Sequence, residues 1–116
     1  MLTAYVFIMT ITILANAGIA IADLARADFV LANSAEVGVP QSYLPILAAL
    51  KAAGAAGLLL GLLGAWAIGM AAAIGLIVFF VGAIVAHLRA GVFHNIGFPG
   101  AYLALAVASI SFMILH

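Results

Sequence analysis

Four long runs of apolar residues, separated by short polar segments, dominate the hydrophobic pattern of this chain. An α-helix needs about 20 predominantly apolar residues to cross the hydrocarbon core of a bilayer. The runs that meet this need extend from about Leu2 to Ala22, Tyr43 to Gly64, Trp66 to Leu88 and Phe98 to Leu115. The pattern predicts an all-α integral membrane protein, a four-helix bundle that threads up-down-up-down as a single transmembrane domain of residues 1–116.

The composition supports this class and excludes several others. Apolar residues make up 70% of the chain and charged residues 5%, whereas a soluble domain averages about half apolar and about a quarter charged. The formal net charge is zero, which disfavours a nucleic-acid partner. There is no cysteine, so disulfides and thiolate metal sites are excluded.

The first apolar run is expected to be a retained membrane helix. A signal peptide carries a basic segment ahead of an apolar stretch of about 7 to 15 residues. This run has no Lys or Arg ahead of it and is longer than that. We therefore interpret it as the first span.

Short connections predict which helices are neighbours and which end of the bundle carries charge. Gly64-Ala65-Trp66 is so short that the second and third spans must be antiparallel neighbours. The other two connections then lie at the opposite end, which we call the linker side. All three Lys and Arg residues, Arg26, Lys51 and Arg89, belong to this end, so the positive-inside rule predicts that the linker side is cytoplasmic.

Small residues follow one stripe on each of the two central spans. Close approach of small residues holds membrane helices together, because lipid provides no hydrophobic drive between them. The stripe on the second span is Gly54, Gly57, Gly61 and Gly64, and the one predicted to face it is Gly75, Phe79, Gly82 and Ala86. We expect these stripes to form the contact seam of a tight hairpin.

Polar residues inside the outer spans also fall on stripes, which we expect to face the bundle interior. They are Tyr5, Met9, Thr12, Asn16, Ala20 and Asp23 on the first span, and Tyr102, Ala106, Ser109, Met113 and His116 on the fourth. For Thr12 and Ser109, back-bonding to their own helix is an equally good interpretation. That interpretation does not cover Asn16 or Asp23.

Lys51 is the most informative residue, because it lies about 10 Å inside the second span. One alternative is that it snorkels to the interface. The other is that it faces a polar pocket, with Asp23 or Glu36 as counter-charge for Lys51 or Arg89. On the sequence alone we expect Lys51→Met to leave the fold intact.

Six polar residues of the four spans share the linker-side half of the membrane. They are Asn16, Asp23, Lys51, His87, Arg89 and Tyr102, and we expect them to line one ligand-binding cavity. An ordinary interfacial ring of polar residues is the alternative. His87, His94, Asp23 and Glu36 could form a metal site only on paper, since no span presents a ligand pair one turn apart, and no metal or catalytic residue is assigned.

Two segments of the central hairpin are distinctive, Leu50–Gly61, with its early Lys51, and Ala73–Gly91, which ends in His87-Leu88-Arg89-Ala90-Gly91. In these segments the chain resembles the DoxX-like family of small four-span membrane proteins. This resemblance implies a four-helix bundle of the bacterial inner membrane. Better-known relatives often carry a basic residue in the first span, where this chain has Asn16 and Asp23.

Some members of this family are membrane subunits of quinone-linked oxidoreductases, including those of thiosulfate oxidation. The resemblance therefore implies a subunit or accessory protein that holds a lipophilic molecule such as a quinone, non-covalently, and supports an oxidoreductase partner. A lipid-binding or transport module is one alternative, and a ligand-free scaffold that binds another membrane protein or a second copy is another. Whether the chain takes part in catalysis stays open on the sequence.

Overall fold

The computed structural model describes residues 2–115. Its helices are α1 (Leu2–Leu24), α2 (Asp28–Glu36), α3 (Leu44–Leu62, preceded by the 3₁₀ turn Gln41–Tyr43), α4 (Trp66–Ala90) and α5 (Gly97–Leu115). Four of them, α1, α3, α4 and α5, are long and apolar enough to span a membrane. The predicted place of His116 on the inward stripe lies outside the described residues.

The four long helices form a ring in which neighbours in sequence are neighbours in space. α1 packs against α3 and α5, and α4 packs against the same two helices. Because each connection returns the chain to the next helix of the ring, the helices alternate in direction. This arrangement confirms the predicted all-α membrane bundle.

A short helix on the linker side was not predicted. The hydrophobic pattern predicts only a polar connection between the first two spans, but Asp28–Glu36 within it is helical. Asp28 lies in the first turn of α2, where a carboxylate is favoured by the helix dipole. Ser34 donates a hydrogen bond to the carbonyl of Val39 and so ties the end of α2 to the chain that follows. The polar residues of this segment gave no indication of a helix. Its apolar side, including the buried Val30, faces the bundle.

The glycine seam of α3 is confirmed at three of its four positions. A Cβ atom built on Gly61 would lie 2.6 Å from the Cα of Gly69, so the two backbones are in direct contact. Cβ atoms on Gly54 and Gly57 would be equally close to the side chains of Leu76 and Ala72. The fourth position, Gly64, instead forms the turn, with a φ of +123° that favours glycine.

The stripe predicted for α4 was wrong at its two glycines, although Phe79 does contact α3 through Lys51. Gly75 and Gly82 are exposed, and a Cβ on either would meet nothing within 4 Å. The tight turn at Gly64 fixes the register of the hairpin by pairing Gly61 with Gly69. Gly75 follows Gly69 by six residues, which places it about 120° around the helix and away from α3.

The inward stripes of α1 and α5 are confirmed within the described residues. The buried residues of α1 are the six predicted: Tyr5, Met9, Thr12, Asn16, Ala20 and Asp23. On α5 the predicted Ala106, Ser109 and Met113 are buried, and Tyr102 is partly buried. The Thr12 hydroxyl lies 2.9 Å from that of Ser109 and also donates to the carbonyl of Ile8 at 2.8 Å, so back-bonding and an interhelical bond coexist.

Candidate ligand-binding cavity

A cavity of about 610 Å³ occupies the linker-side half of the bundle. All five helices contribute to its wall, and most of the lining is apolar. Its size falls within the range of small-molecule sites, which are mainly apolar with a few placed polar groups. The polar groups here are Asp23 on α1, Asn33 and Ser34 on α2, Tyr43 just before α3, Lys51 on α3, His87 on α4, Asn95 in the loop after it, and Tyr102 on α5.

The charged part of the cavity is an ion pair between α3 and α1. Lys51 Nζ lies 2.7 Å from Asp23 Oδ2, and the two residues are 8% and 3% exposed. The ammonium also lies 5.4 Å from the centre of the Phe79 ring, a cation–π distance. The side chain of Lys51 is therefore buried in the bundle, between Asp23 and Phe79. Of the two counter-charges considered for it, Asp23 is the one that contacts it.

The pair reverses one expectation about Lys51. Lys51→Met would leave the Asp23 carboxylate buried without a counter-charge, and breaking a buried pair in this way costs about 3 to 5 kcal/mol. The single substitution is thus expected to destabilise the bundle. The sequence interpretation overlooked this because it did not fix the partner of Lys51.

A second polar group joins α4, α2 and the linker before α5. His87 Nε2 lies 3.1 Å from Asn33 Oδ1, and Asn95 Nδ2 donates to the same oxygen at 2.8 Å. The other ring nitrogen, Nδ1, lies 2.8 Å from the carbonyl oxygen of Ala83. Asn33 thereby holds α2 across the linker-side face of the cavity.

This network can accommodate two protonation states of His87. With the amides placed as described, both ring nitrogens face oxygen atoms, an arrangement that suits the doubly protonated imidazolium. If the Asn33 and Asn95 amides both turn over, the Asn33 NH₂ group donates to Nε2 of a neutral ring and to the oxygen of Asn95. Both ring nitrogens of His87 thus have hydrogen-bond partners in either arrangement of the amides.

Aromatic rings form one wall of the cavity. The Phe98 and Tyr102 rings stack with their centroids 5.9 Å apart, and Phe80 and Phe29 lie 5.2 Å and 6.2 Å from Tyr102 and Phe98, respectively. The Tyr102 hydroxyl donates to the carbonyl of Ala15 at 3.1 Å. Tyr102 thus presents its ring to the cavity and uses its hydroxyl to join α5 to α1.

Four of the six predicted residues line this cavity, namely Asp23, Lys51, His87 and Tyr102. Arg89 does not, because it follows His87 by two residues, about 200° around α4, and is exposed. Asn16 does not either, because it lies two turns deeper than Asp23. There its Nδ2 donates to the Thr12 carbonyl at 2.9 Å, while its Oδ1 is buried without a hydrogen-bond partner.

Four polar lining residues were missed by the sequence interpretation, namely Ser34, Tyr43, Asn33 and Asn95. Asn33 and Asn95 bond to each other, and Asn33 also contacts His87. Both are amides in connections treated as linkers, and only the path of the chain brings them to His87. Their polar amide side chains were the feature of the sequence that could have identified them as site residues. Asn95 Oδ1 is also buried without a partner.

The remaining residues considered for a metal site lie elsewhere. His94 Nε2 and Glu36 Oε2 are 3.1 Å apart, but their side chains are 65% and 39% exposed at the surface. Within residues 2–115, no three His, Asp or Glu side chains converge on one point. His87 instead bonds to the Asn33 amide and the Ala83 carbonyl, as described above.

A known family model covers most of the chain. The model of the DoxX-like family matches residues 7–109, a segment that begins in α1, ends in α5 and contains every residue of the cavity wall. No curated protein and no solved structure matches the chain.

Proposed function

This chain belongs to the DoxX-like family, and we propose that it is a small membrane subunit or accessory protein of an oxidoreductase. In this proposal the cavity holds a lipophilic molecule with a polar ring head, such as a quinone. The bound molecule serves a membrane oxidoreductase partner. The residues that would hold this molecule are Asp23, Lys51, His87 and Tyr102, together with Asn33 and Asn95.

The observation that carries the proposal is the buried ion pair at the edge of an apolar cavity. Ionisable groups inside a membrane are costly, and they generally mark a ligand or ion pathway. A well-packed apolar pair of similar size would stabilise the bundle equally well or better. A role in binding accounts for Lys51 and Asp23 in a position where stability alone does not require them.

The donor and acceptor groups of the cavity suit a quinone. Lys51 has three N–H donors, one of which binds Asp23, so others are left for a carbonyl oxygen of the head. Nε2 of His87 would donate to the second oxygen in place of its bond to Asn33 Oδ1. The unpartnered Asn95 Oδ1 is an acceptor near the same end of the cavity. The rings of Phe98 and Tyr102 offer flat apolar faces to a flat head.

The chain's own groups would bind and orient the head and manage protons. Asp23 keeps the local charge near zero, which favours a neutral head over an anionic one. His87 would exchange a proton with the head through Nε2, in place of the bond to Asn33, while the bond from Nδ1 to the Ala83 carbonyl keeps the ring in position. A bound quinone would supply the electron-carrying chemistry, and the partner would supply or receive the electrons.

Co-purification tests this proposal. The protein is transferred from native membranes into lipid nanodiscs, and the extracted small molecules are identified by mass spectrometry. Ala83→Phe places a ring in the cavity, whereas Ala67→Phe places one on the exposed surface of the same helix, outside the cavity. We expect a quinone enriched over the bulk membrane in the wild type and in Ala67→Phe, and depleted in Ala83→Phe.

Two other results would contradict it. Phospholipid alone, displaced by Ala83→Phe, would favour the lipid-binding module. An empty cavity with a stoichiometric protein partner would favour the scaffold.

A further inference from the structure

A second depression lies outside the bundle, on the face of the α3–α4 hairpin. It has a volume of about 550 Å³ and is walled largely by small residues, including Ala53, Gly57, Ala71 and Gly75. We call it the lipid-facing groove. It exists because these side chains are short: a Cβ on Gly75 would meet nothing within 4 Å.

The lipid-facing groove adjoins the cavity. Leu50, Val78 and Phe79 line both. Phe79 is the residue whose ring lies 5.4 Å from the Lys51 ammonium on the cavity side. Leu50 and Val78 are 52% and 66% exposed, so the boundary between groove and cavity faces lipid rather than a protein neighbour within the chain.

We propose that the lipid-facing groove holds the hydrocarbon tail of the molecule whose polar head lies in the cavity. This inference rests on the proposed function and extends it by specifying a long-tailed ligand. From Phe79 to Ile68 the groove follows α4 for eleven residues, or about 16 Å at 1.5 Å per residue. A tail leaving the cavity past Leu50 and Val78 would then follow the Ala and Gly residues that line most of the groove.

The chemistry of the lining favours a tail over other occupants. The groove contains no charged residue, so nothing in it would bind a phosphate headgroup. The nearest charges are Lys51 and Asp23, which already neutralise each other inside the cavity. A partner helix would have no particular reason to end at the cavity, whereas a tail attached to a bound head must begin there.

Gly75→Leu tests the groove separately from the cavity. The leucine would project into the open space of the groove while α4 keeps its packing. Gly18→Leu is the matched control, because Gly18 is also exposed on a membrane helix with nothing within 4 Å, but it lines neither depression. The probes are a tail-less dimethoxy-methyl-benzoquinone and its decyl derivative, measured in nanodiscs at equal concentration in the lipid, with empty nanodiscs subtracted.

We expect the wild type and Gly18→Leu to bind the decyl compound at least about tenfold more tightly than the tail-less one. That ratio corresponds to about 1.4 kcal/mol. Since lipid is as apolar as the groove, this free energy comes from van der Waals contacts between tail and groove and not from the hydrophobic effect. In Gly75→Leu the ratio should fall towards one, while binding of the tail-less compound stays unchanged. An unchanged ratio in Gly75→Leu, or a ratio near one in the wild type, would show that the groove does not hold the tail. Neither result would contradict the proposed binding of the head in the cavity. Failure of both probes to bind the wild type would instead overturn the proposed function.

Discussion

The ammonium of Lys51 lies 2.7 Å from a carboxylate oxygen of Asp23, and both residues are buried. The two come from neighbouring antiparallel helices, Asp23 from the last turn of α1 and Lys51 from about two turns after the start of α3. Because the pair lies on the cavity wall, it affects both the stability of the bundle and the chemistry of the candidate site.

Removing one member of the pair should destabilise the protein, and removing both should not. Lys51→Met and Asp23→Leu each leave a buried charge alone, at a cost of about 3 to 5 kcal/mol, whereas the double substitution is expected to be neutral or stabilising. The free energy of unfolding, measured by denaturing-detergent titration in mixed micelles, checks this. Arg89→Met, which removes an exposed charge, should change little. A double variant no more stable than either single one would contradict a direct pairing.

The hairpin seam should not tolerate a side chain at Gly61. Because a Cβ there would lie 2.6 Å from the Cα of Gly69, Gly61→Ala must move one backbone away from the other, at a cost of about 1 to 3 kcal/mol. Gly75→Ala, on the open face of α4, should be tolerated and serves as the control. The same unfolding titration measures both variants. Equal stability of the two would mean that Gly61 and Gly69 are not in contact.

The hydroxyl contact between Thr12 and Ser109 should couple α1 to α5. A double-mutant cycle with Thr12→Val and Ser109→Ala should give an interaction free energy of about 0.6 kcal/mol, and at most about 1.7, as for other interhelical hydrogen bonds in membranes. Ser111→Ala is the control partner, because the Ser111 hydroxyl bonds to Val107 on its own helix. If the interaction free energy of Thr12 with Ser109 is as small as that with Ser111, the Thr12 hydroxyl bonds only to its own helix.

Asn33 should hold α2 over the cavity. Asn33→Ala removes the acceptor of both His87 and Asn95, and two bonds of roughly 0.5 to 1.5 kcal/mol each should raise amide hydrogen exchange in Asp28–Glu36 about tenfold or more. Glu36→Ala, which removes only an exposed pair with His94, should change exchange much less. Equal exchange in both variants would indicate that α2 is held by its apolar side alone.

Much of the bundle could be predicted from sequence because lipid imposes a simple rule on each helix. Apolar length identified the four spans, and helical spacing identified the buried face of α1, from Tyr5 to Asp23, because polar groups must turn away from lipid. The seam of α3 followed from the same spacing. The matching face of α4 could not be predicted this way, since Gly75 and Gly69 are equally small and only the turn at Gly64 selects between them.

The candidate site was predictable only where its residues lie inside spans. Asp23, Lys51 and His87 stand out because charge and imidazole are rare in an apolar run. Asn33 and Asn95 lie in connections where polar residues are ordinary, and their approach to His87 depends on the fold of α2. Arg89 was misplaced because sequence proximity to His87 does not mean a shared helix face.

Binding of the decyl benzoquinone to the Asp23→Leu/Lys51→Met double variant tests the central claim most directly. This variant keeps an apolar, well-packed pair, so its fold should survive while the polar end of the cavity is lost. Measured at equilibrium in nanodiscs beside the wild type and the surface control Ala67→Phe, its affinity should be at least about tenfold lower, for the loss of charge-assisted hydrogen bonds worth roughly 1.5 to 3 kcal/mol. The control should bind like the wild type. An affinity of the double variant equal to that of the wild type would contradict the claim that the Lys51–Asp23 pair holds the head of the ligand.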